Sequence, residues 1–249
     1  MNDGDKQPFL SHLEELRKRL IACAIAVGVG FAVCYAFKEI LYGILVSPLI
    51  KIMPEGKGLI FTSLIAPFFT YLKTALIAGV MLVAPYLFYQ LWLFIAPGLY
   101  QHEKKYIIPF VFFSSILFVG GALFGYFIVF PLVFNFFLGF ENEFIEAMPS
   151  VNEYFTFVVR LLCGFGIAFE LPIVIFFLAK IGVVTPELLR KKRKYALLLM
   201  FVVGAIITPP DIISQVLLAM PLLALYEVGI ILAVISTKKK AKKEETEVE

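Results

Sequence analysis

Charge is scarce in this chain. Only 16% of its 249 residues are Asp, Glu, Lys or Arg, whereas a water-soluble domain devotes about 25% to them. A surface made from so few charges cannot be faced entirely with water. Cysteine and histidine are scarcer still. Cys23, Cys34 and Cys163 lie in separate apolar runs without a CxxC spacing, which excludes a disulfide framework and a zinc site and leaves them as small apolar fillers. The two histidines, His12 and His102, flank apolar segments instead of meeting inside one. GxSxG, HExxH and Walker patterns are missing, so hydrolytic, metalloprotease and ATP-driven chemistry have no sequence support. No cofactor is implied. The net charge of +3 is too small to imply nucleic-acid binding. The start MNDGDKQPF lacks the basic-then-apolar order of a cleavable signal, so the first apolar run is expected to remain in the protein.

Apolar residues make up 61% of the chain, with 27 phenylalanines and a mean hydropathy of +0.91. Lipid is the economical solvent for that composition. A transmembrane helix takes about 20 predominantly apolar residues, and six stretches qualify as candidates: Leu20 to Phe37, about Phe68 to Ile95, about Ile107 to Phe130, roughly Tyr154 to Leu178, about Tyr195 to Thr208, and about Ile213 to Ile235. The third carries Gly120, Gly121 and Gly125, small residues that let another helix approach closely. The fifth is 14 residues long and at 1.5 Å per residue covers only about 21 Å of a core about 30 Å thick. It predicts a short hairpin with the sixth, beside a thinned or covered membrane.

Lys and Arg counting predicts the topology. With the N terminus inside, 17 of the 22 basic residues fall on the inner side and four on the outer, with Arg160 inside the fourth span. Six spans return the C terminus to the inside. No repeat of consistent motif or spacing relates the two halves, which argues against an inverted-repeat transporter. The proline-bearing stretch from 38 to 67 is expected to form short outer helices, and residues 131 to 153 a second outer cap. The whole chain, 1–249, reads as one membrane domain, with an amphipathic inner segment at 1–19 and a disordered tail at 236–249.

Several polar residues need an explanation. In SHLEELRKRL, Ser11 and Glu14 have capping-box spacing, and Glu15 and Arg17 fall just before the first span. The stretch reads either as a helix start with local ion pairs or as a carboxylate site for a basic ligand. In FYQLWLFIAPGLYQHEKK, Glu103 is either a solvated loop residue or a second carboxylate on the same membrane face as Glu15, and two carboxylates suit guanidinium groups. Arg160 and Glu170 lie inside the fourth span, where each should face protein or water, Pro172 favouring a bend beside Glu170. In ITPPDIISQ, Asp211 reads as an N-cap after a rigid turn. Glu227 reads as a buried carboxylate of the sixth span, structural or functional.

Those four stretches, SHLEELRKRL, FYQLWLFIAPGLYQHEKK, FGIAFELPI and ITPPDIISQ, occur in order over nearly the whole chain, and with them the sequence resembles the TatC family, the multispanning subunit of the twin-arginine protein translocase. The resemblance implies an all-α polytopic fold of six transmembrane helices, arranged as a concave, glove-like scaffold with short final helices. It implies a prokaryotic plasma-membrane protein, in the inner membrane of a two-membraned cell, with both termini cytoplasmic. It also implies a non-enzymatic receptor for twin-arginine signal peptides of folded cargo proteins, whose export depends on the proton-motive force. Carried over residue by residue, signal-peptide binding falls to Glu15 and Glu103 with Arg17, Gln90 and Phe94, and transport or assembly to Pro48, Glu170, Asp211 and Gln215. The implied partners are TatA- and TatB-type single-span subunits and membrane lipids, with self-association also allowed. The competing readings are a gradient-driven small-solute transporter using Arg160, Glu170 and Glu227, and a purely structural membrane scaffold.

Overall fold

The computed structural model describes residues 6–53, 58–60, 63–95, 107–142, 144, 147–207 and 212–246, with the side chains of 6–11, 214 and 239–246 left undescribed. These residues form helices α1 (Lys6–Ala36), α2 (Lys38–Ile52), α3 (Ala66–Ile95), α4 (Ile107–Phe124), a π-helical turn (Gly125–Val129), α5 (Phe130–Leu138), α6 (Val151–Phe169), α7 (Leu171–Lys180), α8 (Pro186–Lys191), α9 (Arg193–Ile207) and α10 (Ile212–Thr246). Among the described residues there is no strand; at one isolated bridge Ile60 N–H donates to Pro149 O (3.2 Å) and Val151 N–H to Ile60 O (2.8 Å). The fold is all-α.

Among the described residues, five segments are long and apolar enough to cross a membrane: His12–Ala36, Ala66–Ile95, Ile107–Leu138, Val151–Lys180 and Gln215–Lys238. Helix α9, at the place of the expected fifth span, has 15 residues and a length of about 22 Å. The expected short hairpin is therefore short on one side only, because α10 has 35 residues. Its helical backbone also runs through 236–246, part of the segment expected to be disordered. Helix α1 begins at Lys6, so Ser11 lies inside it and is not an N-cap.

Proline explains the interruptions. Pro131 has no N–H to give the carbonyl four residues back, and immediately before it the ladder widens, Phe130 N–H donating to Gly125 O in a π-turn. Pro172 acts in the same way between α6 and α7. The helix breaks at Glu170, whose N–H donates to Ile167 O at 3.1 Å, and resumes when Val174 N–H donates to Glu170 O at 2.9 Å. That is the bend expected beside Glu170.

The chain divides into two compact units, Met1–Ile44 with Pro67–Ile116, and Leu45–Ala66 with Leu117–Glu249. In the first, α1 and α3 cross where Gly30 meets Gly79. A Cβ on Gly79 would lie 2.6 Å from Phe31 N, and one on Gly30 would lie 2.7 Å from Gly79 O. Only two glycines allow that approach. Further along α3, buried Trp92 stacks on Phe110 (4.5 Å). In the second unit the core is aromatic and aliphatic, with Phe130, Phe155, Leu161 and Phe165 fully enclosed. Gly121 receives α6 closely, since a Cβ there would lie 2.4 Å from Phe165 O, while Gly120 faces open space. Outward, Ile25, Val29, Phe127 and Ile206 are among many exposed apolar side chains, as hydrocarbon solvent requires.

Candidate functional site

Helical spacing builds the site in the first unit. His12, Glu15 and Arg19 recur at three and four residues on α1, and Tyr86, Gln90 and Phe94 at four on α3, so each set shares one face. The faces meet. His12 stacks on Phe94 with ring centroids 4.4 Å apart and planes 20° from parallel. Toward the middle of the span, Arg19 Nη1 donates to Gln90 Oε1 at 3.1 Å, and Gln90 Nε2 donates to Tyr86 Oη at 2.7 Å.

Glu15 is held by Arg19. Its Oε1 accepts from Nε at 3.0 Å and from Nη2, and the two side chains are 31% and 20% exposed. The pair is therefore wet enough to be screened and to exchange. Among the described residues, Oε2 of Glu15 accepts no hydrogen bond. Arg17 does not join the cluster. It stands two residues from Glu15 on another face of α1 and is exposed. Glu103 lies outside the described residues, as does Asp211. The structure thus brings Glu15, Gln90 and Phe94 together, with Arg19, His12 and Tyr86 beside them.

The remaining polar candidates belong to the second unit. Pro48 lies inside α2, where it cannot donate to the Ile44 carbonyl. One residue on, the Leu45 carbonyl accepts from Tyr154 Oη at 2.6 Å, so the altered stretch of α2 is fastened to α6. Gln215 Nε2 donates to Phe201 O at 2.7 Å, across a close approach at Gly204. This side chain closes the α9–α10 hairpin. Glu170 is half-buried with Oε1 enclosed, at the α6–α7 break.

One expectation about charge is corrected. Glu227 is not buried. With its side chain 41% exposed it accepts from Arg193 Nη2 at 2.6 Å, while Tyr226 Oη donates to Leu189 O at 2.9 Å. The short α9 brings the basic segment before it level with the middle of α10. Arg160 is exposed and makes no ion pair among the described residues. With Glu227 taken by Arg193 and Arg160 exposed, the three charges do not form one polar route.

The family model for the Sec-independent protein translocase protein TatC matches residues 11–221. The Sec-independent protein translocase protein TatC of Desulforapulum autotrophicum is 51% identical over 243 residues, covering 98% of this chain and 90% of the relative. That of Escherichia coli is 44% identical, covering 92% and 89%. A crystal structure of the twin-arginine translocase receptor TatC superposes with a TM-score of 0.82 at 46% identity, covering 91% of this chain and 99% of that one. With a family model matched over most of the chain and relatives 44–51% identical over nearly its whole length, the chain belongs to the TatC family.

Proposed function

We propose that this protein is the receptor of a twin-arginine translocase, binding signal peptides with paired arginines through Glu15 and Glu103 and organising export of their folded cargo. The observation that carries the reading is the Glu15 carboxylate, which already holds a guanidinium against α3. Planar guanidiniums give directional paired hydrogen bonds to carboxylates, whereas an ammonium is a compact point charge. Arginine is therefore preferred over lysine at equal charge. Phe94, stacked on His12, offers an apolar edge beside the charge, and the apolar part of the signal contributes by entering the adjacent bilayer. Arg17 and Gln90 support the site, Gln90 through its bond to Arg19.

The protein carries out no bond chemistry in this role. Helix α9 serves as a sixth, short span, both termini lie in the cytoplasm, and the membrane is the prokaryotic plasma membrane. TatA- and TatB-type single-span subunits are the partners, assembly being powered by the proton-motive force. Pro48, Glu170, Asp211 and Gln215 serve assembly or transport; the hairpin bond of Gln215 supports that assignment for α9–α10. Site-specific crosslinking from residue 103 tests the receptor reading: a twin-arginine peptide should be captured and its twin-lysine counterpart captured poorly. Equal capture of both would contradict it.

A further inference from the structure

The carboxylate offered to the signal peptide already has an occupant of the same chemistry. Arg19 places Nε and Nη2 on one oxygen of Glu15 and Nη1 on Gln90. Both N–H groups fall on a single oxygen, leaving Oε2 unused among the described residues, so an end-on guanidinium, engaging both oxygens, makes a better fit than the resident one. Gln90 remains as an acceptor for Arg19 when it lets go. We propose that Arg19 is an internal competitor for Glu15, displaced by the incoming arginine and retained on Gln90, and that this exchange sets the affinity threshold of the receptor. The inference rests on the receptor reading given above.

Its consequence is quantitative. A tethered competitor divides the affinity of every ligand that needs free Glu15 by the same factor. It does not change the ratio between twin-arginine and twin-lysine peptides. It moves both, so that the weaker ligand falls below useful occupancy. A residue that merely oriented Glu15 would behave oppositely, since removing it would weaken binding.

The test is a double-mutant cycle on the full chain in lipid nanodiscs, with a synthetic peptide carrying two adjacent arginines ahead of an apolar helix, and its twin-lysine counterpart. R19Q should bind both peptides about two- to fivefold more tightly, the size expected for a partly exposed ion pair. The gain should vanish in E15Q/R19Q relative to E15Q, because the competitor has nothing left to occupy. Weakened or unchanged binding by R19Q overturns the inference, and so does an equal gain in the E15Q background, which would reflect general loss of positive charge. If E15Q binds as wild type, the receptor reading itself fails. If E15Q weakens binding but R19Q does not tighten it, only the competitor falls. A measurement on wild-type protein avoids dependence on folding of the variants: the ¹⁵N guanidinium resonance of Arg19 should shift as the twin-arginine peptide saturates. A stationary resonance overturns the exchange.

Discussion

Two arginine–carboxylate pairs of similar chemistry do different work in this molecule. Glu15 and Arg19 are four residues apart on one helix, whereas Arg193 and Glu227 are 34 residues apart on two helices. The first pair forms wherever α1 is helical, so it adds little to the specification of tertiary structure. It is local and exchangeable. The second forms only when α9 and α10 are correctly apposed, and the Tyr226 bond to Leu189 stands beside it. It fastens a hairpin. The lesson is that the proposed ligand site rests on a pair set within one helix, while the hairpin uses one whose geometry depends on the fold.

That contrast can be broken from below. The largest expected effect is on the crossing that supports the first pair: G79L drives a side chain into the α1 backbone and should destabilise the first unit by about 1–3 kcal/mol or more, with loss of peptide binding. Thermal unfolding in lipid, read beside peptide affinity, checks this. A fully stable G79L protein would show that α1 and α3 do not cross at Gly30 and Gly79.

A smaller effect sharpens the hairpin side. Removing the Gln215 amide in Q215A should cost about 0.5–1.5 kcal/mol, read as a lower unfolding midpoint, with twin-arginine peptide affinity unchanged. The smallest effect belongs to the exposed charges. R193Q and E227Q should each lower stability slightly, with a coupling of about 0.2–1 kcal/mol in a double-mutant cycle, and neither should alter peptide binding. A coupling of zero would mean that the hairpin does not depend on that pair.

Much of the fold was legible in the length of the apolar runs. Five long spans and the short segment before Thr208 could be read directly, and Pro172 announced the bend at Glu170. Other features depended on register between distant segments. Glu227 read as buried because its own helix is apolar; only the shortness of α9 brings Arg193 to it. Arg160 read as facing protein or water; which of its faces α6 exposes was decided by the side that packs against Gly121 and Gly125. At the site, the four-residue spacing of Glu15 and Arg19 was visible in SHLEELRKRL, but its partner Gln90 is 71 residues from Arg19. Helical periodicity says which residues share a face and is silent on which face meets which. Gln90 and Phe94 were assigned by family resemblance, and His12 and Tyr86 emerged only with the packing of α1 on α3.

The central claim is that Glu15 and Glu103 together receive the paired arginines. It is tested most directly by equilibrium binding of one twin-arginine peptide and its twin-lysine counterpart to wild-type, E15Q and E103Q proteins in lipid, each first shown to be folded. Loss of a charge-assisted hydrogen-bond acceptor should weaken the twin-arginine peptide by about tenfold in each variant and narrow its advantage over lysine. Wild-type affinity and an undiminished arginine preference in both folded variants would contradict the account.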